Sequence, residues 1–166
     1  GTDTGNTNRR NDLWSLDLSA LCDIPTSGSA TITSDCILYS QIVVTGKLNV
    51  TGIPDAQGNL PKIIGGGSNR LFKVESGGEL VVKSLNLTGG VASGSGDAGR
   101  GGAIFIRAKG ASLIVVEAAL WGNSAKVGGA LSAWGGQASV VLNKTIVAHN
   151  NAEEEGGGGM CFDAVC

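Results

Sequence analysis

The sequence predicts an all-β chain, and three observations carry that prediction. Glycine is abundant, with 28 in 166 residues, well over the usual ~7% share. Charged residues are only 16%, against a usual ~25%, and runs of helix formers are scarce. Val, Ile and Leu alternate with other residues at a period of two, the pattern of strands with one buried face.

The alternation appears in successive segments. "QIVVTGKLNVTG" gives Ile42, Val44, Leu48 and Val50. "RLFKVESGGELVVKSLNLTGG" gives Phe72, Val74, Leu80, Val82, Leu85 and Leu87. "AIFIRAKGASLIVVEAALWGN" gives Ile104, Ile106, Leu113 and Val115, then Trp121. "ALSAWGGQASVVLNKTIVAHN" gives Leu131, Ala133, Val140, Leu142 and Ile146. Charged residues such as Lys47, Lys73, Glu79, Lys83 and Arg107 fall between them, on the outward face.

Each segment is a short strand, a glycine or small polar corner, a second strand, a third short strand and a glycine-rich loop. Ala103 lies 27 residues before Ala130, which lies 29 before Gly159. A repeat of that length built from short strands indicates stacked circuits of chain. The expected fold is a right-handed parallel β-helix of about five turns, each stacking on the next at ~4.8 Å. One circuit cannot bury its own apolar face, so several must stack.

Three segments follow. Residues 1–12 are polar and aperiodic and are expected to form a loose arm. Residues 13–29 carry Leu13, Trp14, Leu16, Leu18 and Leu21, an expected cap over the first strand edge. Residues 30–166 form the expected β-helix, whose last edge shows no comparable cap. That edge is expected to continue into further chain or to dock on a partner.

Four cysteines, Cys22, Cys36, Cys161 and Cys166, fall into two local pairs. Neither a CxxC nor a Cys/His cluster is present, which argues against zinc. Three connectivities are possible, and local pairing is the expected one. Three Asn-X-Ser/Thr sequons, at Asn49, Asn86 and Asn143, agree with a secreted, cell-surface or lumenal location. The net charge is −2 with scattered cations, so nucleic acid is an unsuitable partner. No apolar run reaches the ~18–20 residues of a membrane helix.

The string "LWGNSAKVGGAL", followed later by "VAHNNAEEEGGGGM", resembles the paired FxxN and GGA[ILV] repeat of polymorphic outer-membrane proteins and related algal and oomycete β-helix proteins, which share the pectin-lyase-like superfold. The FxxN place holds Leu120–Asn123, then Val147–Asn150. The GGA place holds Gly101-Gly102-Ala103, Gly128-Gly129-Ala130 and Gly157-Gly158-Gly159. No Phe stands in either FxxN place, and the third GGA has Gly for Ala. The resemblance implies a surface or wall-associated scaffold rather than a specific activity. Asn123 and Asn150 are expected to stack as a ladder of side-chain amides at equivalent corners. The glycine pairs are expected to let neighbouring circuits approach closely.

Chemistry-bearing motifs are sparse. Glycoside hydrolysis needs two carboxylates at close range, and the motifs of polygalacturonases, uronate lyases and alginate epimerases do not occur. Asp35, Asp55, Asp97 and Asp163 read as isolated, and Arg70 and Arg107 as lacking acidic neighbours. "GSGDAG" fits GxGxxG, but a strand follows where a dinucleotide site needs a helix; it reads as a flexible projecting loop. Glu153, Glu154 and Glu155 read as a solvated loop. His149 reads as turn surface, Trp121 as packed in the core or a corner, and Trp134 as an exposed contact residue. Thr31, Thr33, Thr51, Thr88 and Thr145 do not recur at the repeat spacing, against an ice-binding face.

The expected function is a non-enzymatic structural or interaction module with protein partners and no cofactor or metal. A carbohydrate-binding or carbohydrate-modifying β-helix, with glycan as partner, is the alternative, and an ice-binding β-helix the third.

Overall fold

A computed structural model describes residues 21–107, 109–155 and 158–162. The expected arm, Leu13, Trp14, Leu16 and Leu18 of the cap, and Asp163, Cys166 and Gly157 lie outside them. In chain order the strands begin with β1 (Gly28–Ile32) and β2 (Cys36–Leu38). Next come β3 (Ile42–Val44), β4 (Lys47–Gly52) and β5 (Lys62–Gly65). The following circuit is β6 (Phe72–Val74), β7 (Glu79–Lys83), β8 (Asn86–Thr88) and β9 (Val91–Ala92). Then come β10 (Ile104–Arg107), β11 (Ser112–Val116), β12 (Ala119–Trp121) and β13 (Ser124–Val127). The chain closes on β14 (Leu131–Trp134), β15 (Ser139–Asn143), β16 (Ile146–Ala148), β17 (Asn151–Glu155) and β18 (Met160–Phe162).

The fold is all-β with parallel strands in stacked sheets. The sheet orders are β1-β4-β7-β11-β15, β2-β5-β8-β12-β16, β3-β6-β10-β14-β18 and β9-β13-β17. Each strand from β1 to β14 therefore pairs in parallel with a later counterpart. Inward rows run through the stack in register. One row is Ile42, Phe72, Ile104, Leu131 and Met160. A second is Leu48, Leu80, Leu113 and Val140. A third is Ile63, Leu87, Leu120 and Val147. The central members are fully buried, each burial contributing ~1.5–3 kcal/mol. At the last circuit, Val140, Leu142, Val147 and Met160 are only partly covered.

The corners recur as well. Ser84, Glu117 and Lys144 all adopt left-handed φ, at 52°, 51° and 49°. Each resets the alternation between the strand before it and the one after. As a result Ile146 faces outward and is 61% exposed, contrary to the inward place its period assigns. At the next corner Gly89, Gly122 and His149 share φ of 66°, 66° and 55°. His149 thus occupies a conformation for which glycine is the ordinary residue. Glu153 and Glu154 belong to β17, so the acidic run is a strand and not a loop.

Candidate functional site

The Asn and Gly-Gly elements meet in one joint. Asn123 is 1% exposed. Its Oδ1 accepts from the Gly90 N–H at 3.0 Å, and its Nδ2 donates to the Leu87 carbonyl at 3.0 Å. Asn150 repeats the pattern one circuit on: its Oδ1 accepts from the Asn123 N–H at 2.9 Å, and its Nδ2 donates to the Leu120 carbonyl at 2.9 Å. The two side chains join directly, Asn123 Nδ2 to Asn150 Oδ1, at 3.0 Å. Beside them, a Cβ on Gly129 would strike the carbonyls of Asn151 and Gly158, and one on Gly102 the carbonyls of Gly129 and Ser124. Gly101 and Gly128 turn the chain with φ of 59° and 61°, and Ala103 and Ala130 are fully buried. A side-chain Cβ on Gly158 would meet the Asn150 carbonyl. These residues close the stack sterically and by hydrogen bonding; the two amides bond to backbone and to each other.

The other sequence-selected residues are dispersed. Cys22 and Cys36 form a disulfide, tying the first described residues to β2, where Leu21 also bridges Ile37. Cys161 is disulfide-bonded as well; its expected partner, Cys166, lies outside the described residues. Asn143 is exposed at the end of β15, whereas Asn49 and Asn86 are half-buried in β4 and β8. Trp134 is 39% exposed, with the Arg100 guanidinium 4.0 Å from its ring centroid. Trp121 is not packed inside: it is 42% exposed and stacks on His149 with ring centroids 3.9 Å apart. Its row, Thr88-Trp121-Ala148, is the outward one.

Titratable groups are largely engaged in ties along the stack. Lys47 meets Glu79 at 2.7 Å, Lys126 meets Glu154 at 2.9 Å, and Lys144 meets Glu117 at 3.2 Å. Hydrogen bonding to Glu154 holds the Lys126 ammonium above its ordinary pKa. Asp35 pairs with Lys62, and Asp97 with Arg107 at 3.0 Å. The reading of Asp35, Asp97 and Arg107 as unpartnered is therefore overturned. Asp55 is a local exception: its carboxylate accepts from the Asn59 side chain and from the Gln57 and Asn59 N–H groups, which lowers its pKa. Thr31 and Thr51 do stand in register, but the next member of their row is Lys83.

Two surfaces stand out. The first is the last circuit. β15, β16, β17 and β18 are the last members of their sheets among the described residues. Reaching β15, the outward row Val81-Ile114-Val141 forms an aliphatic stripe. Val141 is 48% exposed and Ile146, just beyond the corner, 61%.

The second is a cleft of about 650 Å³ whose lining includes Tyr39, Arg70, Lys73, Asp97 and Arg107. Arg70 is 5% exposed. Its Nη2 donates to the carbonyls of Asp97 and Ala98 at 2.7 and 3.2 Å, and its guanidinium sits 4.9 Å from the Phe105 ring centroid. Burial pushes its pKa down to about 10, against the pull of Asp97 and Glu75. The "GSGDAG" segment, expected to be a flexible projection, holds a 3₁₀ turn at Gly96–Gly99 that this arginine pins. Sequence reasoning weighed Arg70 only as a catalytic cation and set it aside for want of an acidic neighbour. Its signal is a break in the repeat: Asn69-Arg70-Leu71-Phe72 stands where later circuits have Gly-Gly-Ala and an aliphatic residue.

A scan of family models, curated proteins and solved structures finds no match to this chain. Among the described residues no helix is long and apolar enough to cross a membrane. No group of three or more His, Cys, Asp or Glu among them comes together as a metal set.

Proposed function

We propose that this chain is a right-handed parallel β-helix of the FxxN/GGA type. Its role is that of a non-enzymatic structural module of a secreted, cell-surface or lumenal assembly. The observation that carries the reading is the apolar surface of the last described strands: exposed Val141 and Ile146 beside the outward stripe Val81-Ile114. Exposed apolar residues grouped on the last described strands suit strand addition, by further chain or by a partner, in which main-chain hydrogen bonds give affinity and alternate side chains give specificity. The use of Asn123, Asn150 and most ion pairs to bind circuit to circuit also supports a scaffold. The disulfide at Cys22–Cys36 suits an oxidising compartment.

The test is purification of the native chain with its bound proteins, alongside a Val141→Lys/Ile146→Lys variant. Both substitutions are on exposed positions and leave the core intact. The reading requires a stoichiometric partner that the variant loses while its circular dichroism and melting stay unchanged. A partner retained by the variant, or cleavage of a polysaccharide by the purified chain, sinks it.

A further inference from the structure

The cleft lies away from the last described strands and has a chemistry of its own. Three successive connections between strands wall it: 39–41, 68–70 and 93–98. Because they belong to consecutive circuits, the cleft extends along the stack. Its volume falls in the ~300–1,000 Å³ range of small-molecule sites. Three cations, Arg70, Lys73 and Arg107, line it against one carboxylate, Asp97, in a chain of formal net charge −2.

Arg70 is the unusual member. It is almost wholly buried, its Nη2 is bonded to neutral carbonyl oxygens, and its Nε has no partner. A buried guanidinium held by carbonyls has no direct anionic partner; Asp97 and Glu75 act on it only at a distance, and burial of this kind is costly, so a closer anion would find a receptive group. Lys73 is drawn toward Glu75 at 2.7 Å, and Arg107 shares Asp97; both pairs are partly solvated, so an incoming anion can compete for these cations. Tyr39, 59% exposed, adds an aromatic surface, and Gln41, Asn69 and Ser93 add amides and a hydroxyl.

We propose that this cleft binds an anionic sugar. Its acid group is held by Arg70, Lys73 and Arg107, a pyranose face lies on Tyr39, and its hydroxyls meet the Gln41 and Asn69 amides. An aromatic beside amides suits a sugar ring, which has an apolar face and a hydroxylated rim. A cationic wall selects the acid-bearing member.

The experiment titrates four probes into the intact chain, followed by calorimetry and by amide chemical shifts. The probes are a glucuronate-containing disaccharide, a 6-sulfated disaccharide, cellobiose and inorganic sulfate. The acidic disaccharides should bind, weakening as salt rises, with shifts grouped at 39–41, 68–73, 93–98 and Arg107. Cellobiose and sulfate should bind about tenfold more weakly or not at all. The tighter of the two disaccharides tells whether carboxylate or sulfate is the preferred acid. Arg107→Gln should cost about tenfold for both acidic disaccharides. Tyr39→Ala should weaken the disaccharides and leave sulfate unchanged. Arg70→Gln is unsuitable alone because Arg70 also pins the 3₁₀ turn; Arg107→Gln and Tyr39→Ala are exposed. Three results overturn the proposal: no acidic disaccharide binds, sulfate binds as tightly as the sugars, or the shifts fall outside these segments.

Discussion

Replacing Asn123 with alanine removes the more buried of the ladder's two amides and keeps the fold's apolar rows intact. The side chain makes three bonds: Oδ1 accepts from Gly90 N–H, and Nδ2 donates to the Leu87 carbonyl and to Asn150 Oδ1. Asn150 Oδ1 keeps the Asn123 backbone N–H, so the Gly90 N–H loses its acceptor and the Leu87 carbonyl loses a donor. Gly90 N–H and the Leu87 carbonyl are both in buried residues. Each buried group left unpaired costs ~1–3 kcal/mol, so the expected loss is about 3 kcal/mol. For a chain of this size that lowers Tm by roughly 6–12 °C. Far-UV circular dichroism during urea and thermal unfolding measures it, with exposed Asn143→Ala as a control expected within ~0.5 kcal/mol. Asn123→Asp sharpens the test. A carboxylate still accepts from Gly90 N–H but faces two acceptors, the Leu87 carbonyl and Asn150 Oδ1. Its folded pKa is therefore raised above the unfolded value, and stability is regained as pH falls and the protonated acid donates again. A loss below about 1 kcal/mol for Asn123→Ala, or an Asp variant at least as stable as the Ala variant at neutral pH, would refute the ladder's role.

Three further outcomes follow from other contacts. Gly129→Ala drives a Cβ into two backbone carbonyls and should cost more than ~3 kcal/mol. Gly58→Ala, at φ 84° in open space, should cost only ~1 kcal/mol; urea midpoints compare the two, and equal losses would contradict the steric account. Cys22→Ser with Cys36→Ser opens a link between residues 14 apart and should lower stability by ~3 kcal/mol on the chain-entropy estimate, read by unfolding with and without reductant. Hydrogen bonds from Asn59 and Gln57 hold the Asp55 carboxyl below the ordinary aspartate pKa, so its contribution is present above the unfolded pKa and lost as pH falls through the folded one. Faster amide exchange at Gln57 and Asn59 should appear only in that acid window.

The strands and inward rows were legible in the sequence because a period of two and a recurring glycine joint are local signals. Phe72, Leu80, Val82, Leu113 and Leu131 needed no knowledge of register. Ile146 and Trp121 were misassigned for one reason. A left-handed residue at Lys144 or Glu117 shifts the phase of the strand that follows, and nothing in a Lys or Glu announces positive φ. The pairing of Lys62 with Asp35 was illegible because it crosses circuits and depends on register, and that of Arg107 with Asp97 because it depends on the path of the loop before β10. Arg70 is the instructive miss. Its position was visible as a gap in the Gly-Gly-Ala series, but its burial follows from the segment around Asp97 folding back over it.

Peptide-resolved hydrogen exchange of the chain, alone and in its native assembly, tests the interaction role most directly. Protection on assembly should concentrate in residues 139–155, the segment with exposed Val141 and Ile146, and Val141→Lys/Ile146→Lys should abolish it. Unchanged exchange across 139–155, with protection falling elsewhere on the chain, would contradict that role.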